Sequence, residues 1–95
     1  MITVITTWTI KPGIGSVFSS VFTELAAESR KEPGCISYHV FQDQTNQTLF
    51  YVIAEWESKE AFLQHRNSQA YHQADAVAAK MLVMEPLDHI CELIL

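Results

Sequence analysis

The chain has 95 residues, 48% apolar and 18% charged, enough for one small hydrophobic core and too apolar for a disordered segment. Six Lys and Arg against eleven Asp and Glu leave a net charge of -5, and the cations are scattered, so no phosphate-tracking surface is encoded and nucleic acid is not an expected partner. No run reaches the roughly 18 to 20 apolar residues of a membrane span, and Met1-Ile2-Thr3-Val4 lacks the basic start and apolar stretch of a signal peptide; the expectation is a cytoplasmic domain over residues 1–95 without a membrane partner.

The opening segment, Ile2 to Ile10, is rich in β-branched residues and places Ile2, Val4, Trp8 and Ile10 on one face, which predicts a first strand ended by Lys11-Pro12-Gly13. From about Gly15 to Lys31, Val17, Phe18, Val21, Phe22 and Leu25 form a helical stripe, and Glu32-Pro33-Gly34 stops the helix. Cys35 to Gln42 then alternates Ile36, Tyr38 and Val40 against Ser37, His39 and Phe41. The polar stretch Asp43 to Gln47 supplies a hairpin turn.

Leu49 to Trp56 is apolar on both parities except for Glu55, which predicts a central third strand covered on both faces. Ser58 suits the N-cap of a short helix through about Arg66. Asn67-Ser68 breaks that helix before a second stretch with Tyr71, Ala74, Ala78, Met81 and Leu82 on one face, and Pro86 closes the helical part. Leu87 to Leu95 reads as the last strand, apolar on both parities apart from Glu92 in its final stretch.

Strand, helix, strand, strand, helix, strand is the order of an α+β, ferredoxin-like βαββαβ fold, with helices on one face of an antiparallel sheet. The apolar character of the third and fourth strands requires a cover for the other face, and a second copy packed sheet to sheet provides it; the expectation is an obligate homodimer. Cys35 and Cys91 are far apart and show no metal-type spacing, which suggests two reduced, buried thiols.

The segment Glu32-Pro33-Gly34-Cys35-Ile36-Ser37-Tyr38-His39-Val40-Phe41, then Glu55-Trp56, Ala61-Phe62, His65, Ser68 and Tyr71, preceded by the Lys11-Pro12-Gly13 turn, resembles the antibiotic biosynthesis monooxygenase family over nearly the whole chain. The resemblance implies a dimeric α+β barrel. It also implies chemistry like that of quinol and anthrone monooxygenases, which oxidise a small aromatic with O2 and use neither metal nor flavin, so no cofactor is expected. Such a site has to bind a flat apolar ring, supply a base tuned to a phenol, and keep bulk water from the anion.

His65 matches the family's helix histidine and is the first candidate for the base, since imidazole takes a proton near neutral pH. Glu55, the sole carboxylate in the third strand, either orients His65, acts as base, or makes a structural hydrogen bond at the strand end. His39, which shares a face with Ser37 and Phe41, is a third catalytic candidate, or a strand histidine with an ordinary hydrogen bond. Tyr51 shares parity with Glu55, while Trp56 points the other way, toward another wall of the site or a dimer core. Tyr38 and Phe22 complete the candidate substrate lining.

No metal is expected. His65 and His72 are about 10 Å apart along a helix, and His39 and His89 fall on opposite edges of the sheet. Haem-degrading relatives of this fold depend on a first-strand asparagine and on a tryptophan and a histidine in the second helical region; here the first strand has no Asn, and His65 and Asp75 stand at the other two places. Two other readings remain open: an isomerase or other proton-transfer enzyme, for which Arg66 and Lys80 are a thin cation supply, and a non-enzymatic dimer that binds a small molecule.

Overall fold

A computed structural model describes residues 1–95. The elements are β1 (Ile2–Thr9), α1 (Gly15–Ser29), β2 (Cys35–Gln42), β3 (Leu49–Trp56), α2 (Lys59–Arg66), α3 (Gln69–Ala78), a single 3-10 turn (Ala79–Met81) and β4 (Leu87–Cys91). The strands form one antiparallel sheet in the order β2-β3-β1-β4, which is the expected ferredoxin-like α+β arrangement.

Strict alternation in β1 and β3 decides which side chains meet the helices. Val4, Thr6 and Trp8 of β1 and Phe50, Val52, Ala54 and Trp56 of β3 are buried, and the residues between them are half-buried. The core forms where these side chains meet Phe18, Phe22 and Leu25 of α1, Phe62 of α2 and Tyr71 of α3. Each such large apolar side chain contributes about 1.5–3 kcal/mol on burial. Trp8, Phe18, Phe22 and Phe50 pack as a ring cluster with centroids 4.9 to 5.9 Å apart.

The third strand is central, between β2 and β1, but helices cover only one of its faces. Across the other face the register sets His39, Ile53, Ile5 and His89 in one row spanning all four strands. On that face the outward residues of β3, Leu49, Tyr51, Ile53 and Glu55, are half-buried.

Three expectations need correction. The last strand stops at Cys91 rather than Leu95, because Cys91 pairs with Thr3 near the start of β1 and the sheet has almost no partner strand left beyond it. Leu93, Ile94 and Leu95 are accordingly 76%, 86% and 104% exposed. Cys35 and Cys91 are free thiols as expected but only half-buried. For Trp56 only the dimer-core alternative falls: it is fully buried in the core under the helices of its own chain and not on the outer face of the sheet.

Candidate active site

Two serine caps set the positions of the helical residues. Ser58 Oγ accepts from the Ala61 amide and starts α2, which carries Phe62 and His65 inward; Ser68 Oγ accepts from the Tyr71 amide and starts α3 with Tyr71 inward. His65 ends up 4% exposed, with ring centroids 4.8 Å from Trp56, 5.3 Å from Tyr71 and 5.5 Å from Tyr38.

Its polar partner is Glu32. His65 Nδ1 lies 2.7 Å from Glu32 Oε1, within charge-assisted hydrogen-bond range. The turn before β2 brings the two together: Gly34 has φ +84, and a Cβ built on it would lie 2.5 Å from the Ala61 Cβ. Only glycine lets this turn approach α2 so closely. Ala61 and His65 are one helical turn apart, so the contact at Ala61 places Glu32 beside His65. The Glu57 amide donates to the Gly34 carbonyl at 2.8 Å and ties the turn to the end of β3.

His65 lines a cavity of about 20 Å³ between the sheet and α2–α3, together with Thr6, Trp8, Tyr38, Trp56, Tyr71, Arg66 and Asp88, among others. That space holds about one water molecule, whereas a cavity that takes up benzene is roughly 150 Å³. Arg66 and Asp88 form the wetter wall: they are ion-paired with each other, their side chains are 33% and 30% exposed, and Asp88 Oδ1 accepts from Thr6 Oγ1 at 2.8 Å. The Arg66 guanidinium sits 4.7 Å from the Tyr71 ring centroid. Trp8 and Trp56 both line the cavity, and their buried indole N–H groups have no hydrogen-bond partner.

Burial holds the His65 imidazole below the usual histidine range, against the opposing pull of the Glu32 carboxylate. A neutral ring is thus the resting state near pH 7, which is what a general base requires. Burial raises the Tyr71 hydroxyl to about 12 and raises Tyr38 as well, so both stay protonated and serve as donors rather than bases.

Of the residues singled out from sequence, the fold brings His65, Trp56 and Tyr38 to this cavity. Glu55 is not beside His65. It lies on the uncovered face of the sheet, where Ser37 Oγ donates to its Oε1 at 2.9 Å, because its parity is opposite to that of Trp56. His39 is exposed on the same face. Tyr51 also faces that way and donates to Asp43 Oδ2 at 2.7 Å; this bond and those within the hairpin turn hold the Asp43 carboxyl down at about 2. Phe22 packs against Trp8 and Phe18 and is not in the cavity wall. Sequence reasoning assigns no site role to Glu32, Tyr71, Thr6 or Asp88 and weighs Arg66 only as a cation for a phosphorylated substrate. Glu32 reads as part of a helix stop and of the family segment, and no local signal couples it to a residue 33 positions on.

Residues 1–77 match the family described as antibiotic biosynthesis monooxygenase, and the chain belongs to that family. A crystal structure of an antibiotic biosynthesis monooxygenase superposes with a TM-score of 0.93 at 23% identity, covering 99% of both chains, a likeness of fold. PA3566 from Pseudomonas aeruginosa is similar at 28% identity and a TM-score of 0.87, covering 98% of this chain and 94% of its own. A conserved protein from Methanosarcina mazei Go1 is 27% identical with a TM-score of 0.89, over 94% and 88% of the two chains. The uncharacterized protein sll1783 of Synechocystis sp. is 30% identical over 64 residues, which are 67% of this chain and 44% of that protein, so the likeness spans less than half of the relative's length. No helix is long and apolar enough to cross a membrane.

Proposed function

We propose that this chain is a cofactor-independent monooxygenase that oxidises a small electron-rich aromatic, a hydroquinone or an anthrone, with O2, and that its 95 residues act as one domain of a cytoplasmic homodimer joined through the uncovered sheet face. The observation that carries the reading is the buried His65, neutral, flanked by Trp56, Tyr38 and Tyr71 and held by Glu32 at the wall of an apolar cavity. Family membership gives the reaction class its starting point.

In this reaction the substrate O–H bond breaks and its proton passes to His65 Nε2, leaving an electron-rich anion. The anion gives one electron to O2, and the radical pair combines to form a carbon–oxygen bond to a peroxide. The peroxide O–O bond then breaks together with the C–H bond at the same carbon: the inner oxygen stays as the new carbonyl, the outer one takes the carbon's proton and leaves as hydroxide, and that hydroxide takes the proton from His65 to become water. The substrate loses one O–H and one C–H hydrogen and gains one oxygen atom, and the histidine returns to its neutral state. The aromatic walls exclude water around the anion.

An aromatic ring needs more room than the cavity offers, so binding enlarges it, and the partly exposed Arg66–Asp88 pair is the wall that yields. Arg66 is the only Lys or Arg in the cavity lining and is ion-paired with Asp88, so a phosphorylated substrate of the isomerase reading would have to compete with that carboxylate for a single cation. The test is oxygen consumption against a panel of hydroquinones and anthrones, with autoxidation subtracted. Saturable uptake by the wild type that is lost in a folded His65→Ala protein supports the proposal; no uptake above background refutes it and favours a binding dimer.

A further inference from the structure

Glu32 stands at a boundary. Its carboxylate reaches inward to His65, while its side chain, 22% exposed, also lines a groove of about 670 Å³ on the outside of the molecule between α1 and α3. The groups with charge or a titratable proton that face His65 are Glu32 from the turn before β2, Tyr38 from β2, Tyr71 from α3, Asp88 from β4 and its own neighbour Arg66. Among them Glu32 alone makes a hydrogen bond to the ring. Nε2 has no protein partner and is the nitrogen left for whatever enters the cavity.

We propose that Glu32 is a positioning residue that makes His65 a one-sided base: it fixes the tautomer with the proton on Nδ1, leaves the Nε2 lone pair for the substrate, and holds the imidazolium formed on proton transfer. The inference rests on His65 being the base in the proposed reaction. A carboxylate oxygen only accepts, so the bond at 2.7 Å puts the hydrogen on Nδ1. When Nε2 takes the substrate proton, the new positive charge lies against the carboxylate, and when Nε2 gives that proton to hydroxide the ring returns to the same tautomer. The close contact of Gly34 with Ala61 keeps the carboxylate in place, so no reorganisation accompanies the charge change.

The experiment is 15N NMR of histidine-labelled protein across the acid-to-neutral range, with the His65 signals assigned by their loss in His65→Gln. Wild type is expected to show a protonated Nδ1 and a bare Nε2 at neutral pH. In Glu32→Gln the carboxamide oxygen accepts the same bond, so the tautomer is kept, but the imidazolium loses its counter-charge and the His65 midpoint falls by roughly one to three pH units, or out of range before acid unfolding. Glu32→Asp, which keeps the charge, is expected to restore part of that fall. A wild-type ring protonated on Nε2, or a midpoint unmoved or raised in folded Glu32→Gln, overturns the proposal. If that variant does not fold, the wild-type tautomer together with Glu32→Asp decides. Neither readout involves turnover, so a protein that consumes no oxygen yet shows this dyad refutes the monooxygenase reading and leaves the positioning role standing.

Discussion

His65 Nδ1 and Glu32 Oε1 meet at 2.7 Å across 33 positions of sequence, joining a helix to a turn. If that histidine is the base, removing it removes the proton-transfer step while the aromatic walls remain. His65→Ala is expected to lower kcat for an accepted quinol or anthrone by about 10²- to 10⁴-fold. Ligand binding, read by calorimetry on the same variant, is expected to change far less. Equal turnover in variant and wild type would assign the base to another residue.

The pH dependence follows from burial. Because burial depresses the folded-state pKa of His65, the acid limb of kcat/KM is expected below the ordinary histidine value of about 6.5. Stability carries the same sign: the unfolded chain takes up the proton first as the pH drops from about 6.5, so the contribution of His65 is complete above that value and is lost down to the depressed pKa. Chemical denaturation at several pH values checks this, with His65→Gln expected to flatten the slope in that window.

Two glycines separate backbone strain from crowding. Gly13 and Gly34 share a positive φ, of 85° and 84°, but a Cβ at Gly13 meets nothing within 4 Å, whereas one at Gly34 meets the Ala61 Cβ at 2.5 Å. Gly13→Ala is expected to cost about 1 kcal/mol, from the conformation alone. Gly34→Ala adds an overpacking penalty of about 1–3 kcal/mol and displaces Glu32 from His65. Thermal melts of both variants test the difference, and equal melting temperatures would contradict it.

Much of this fold is legible in the sequence alone. The alternation in β1, the Ser58 cap and the breaks at Pro12, Pro33 and Asn67-Ser68 are local signals, and local signals locate elements well. His65 was legible from its place in a family pattern. Of the alternatives for Glu55, the structural hydrogen bond at the strand end is the one observed; the sequence could not choose it, because both parities of β3 are apolar and alternation shows that Glu55 and Trp56 face apart without showing which of them meets the helices. Glu32 was invisible as a site residue because its pairing depends on the approach of Gly34 to Ala61, a tertiary contact that leaves no periodic trace. The C-terminal residues read as strand from their apolarity, but strand length was set by where β1 begins.

The uncovered sheet face predicts the assembly. Ile53 sits mid-row between His39 and Ile5, and a carboxylate there would be buried without a partner in a sheet-to-sheet dimer. Sedimentation equilibrium at micromolar concentration is expected to give twice the 10.8 kDa chain mass for the wild type and to shift toward monomer for Ile53→Glu. A folded wild-type monomer, or a variant that stays dimeric, would contradict the arrangement.

The most direct test of the central claim is the fate of labelled oxygen. Chelator-treated wild-type protein, given an anthrone under 18O2, is expected to yield a quinone carrying one 18O atom, with the second atom in water and the label falling to background for His65→Ala. Unlabelled quinone, or labelled quinone formed equally by the His65→Ala protein, would contradict a monooxygenase that works through this histidine.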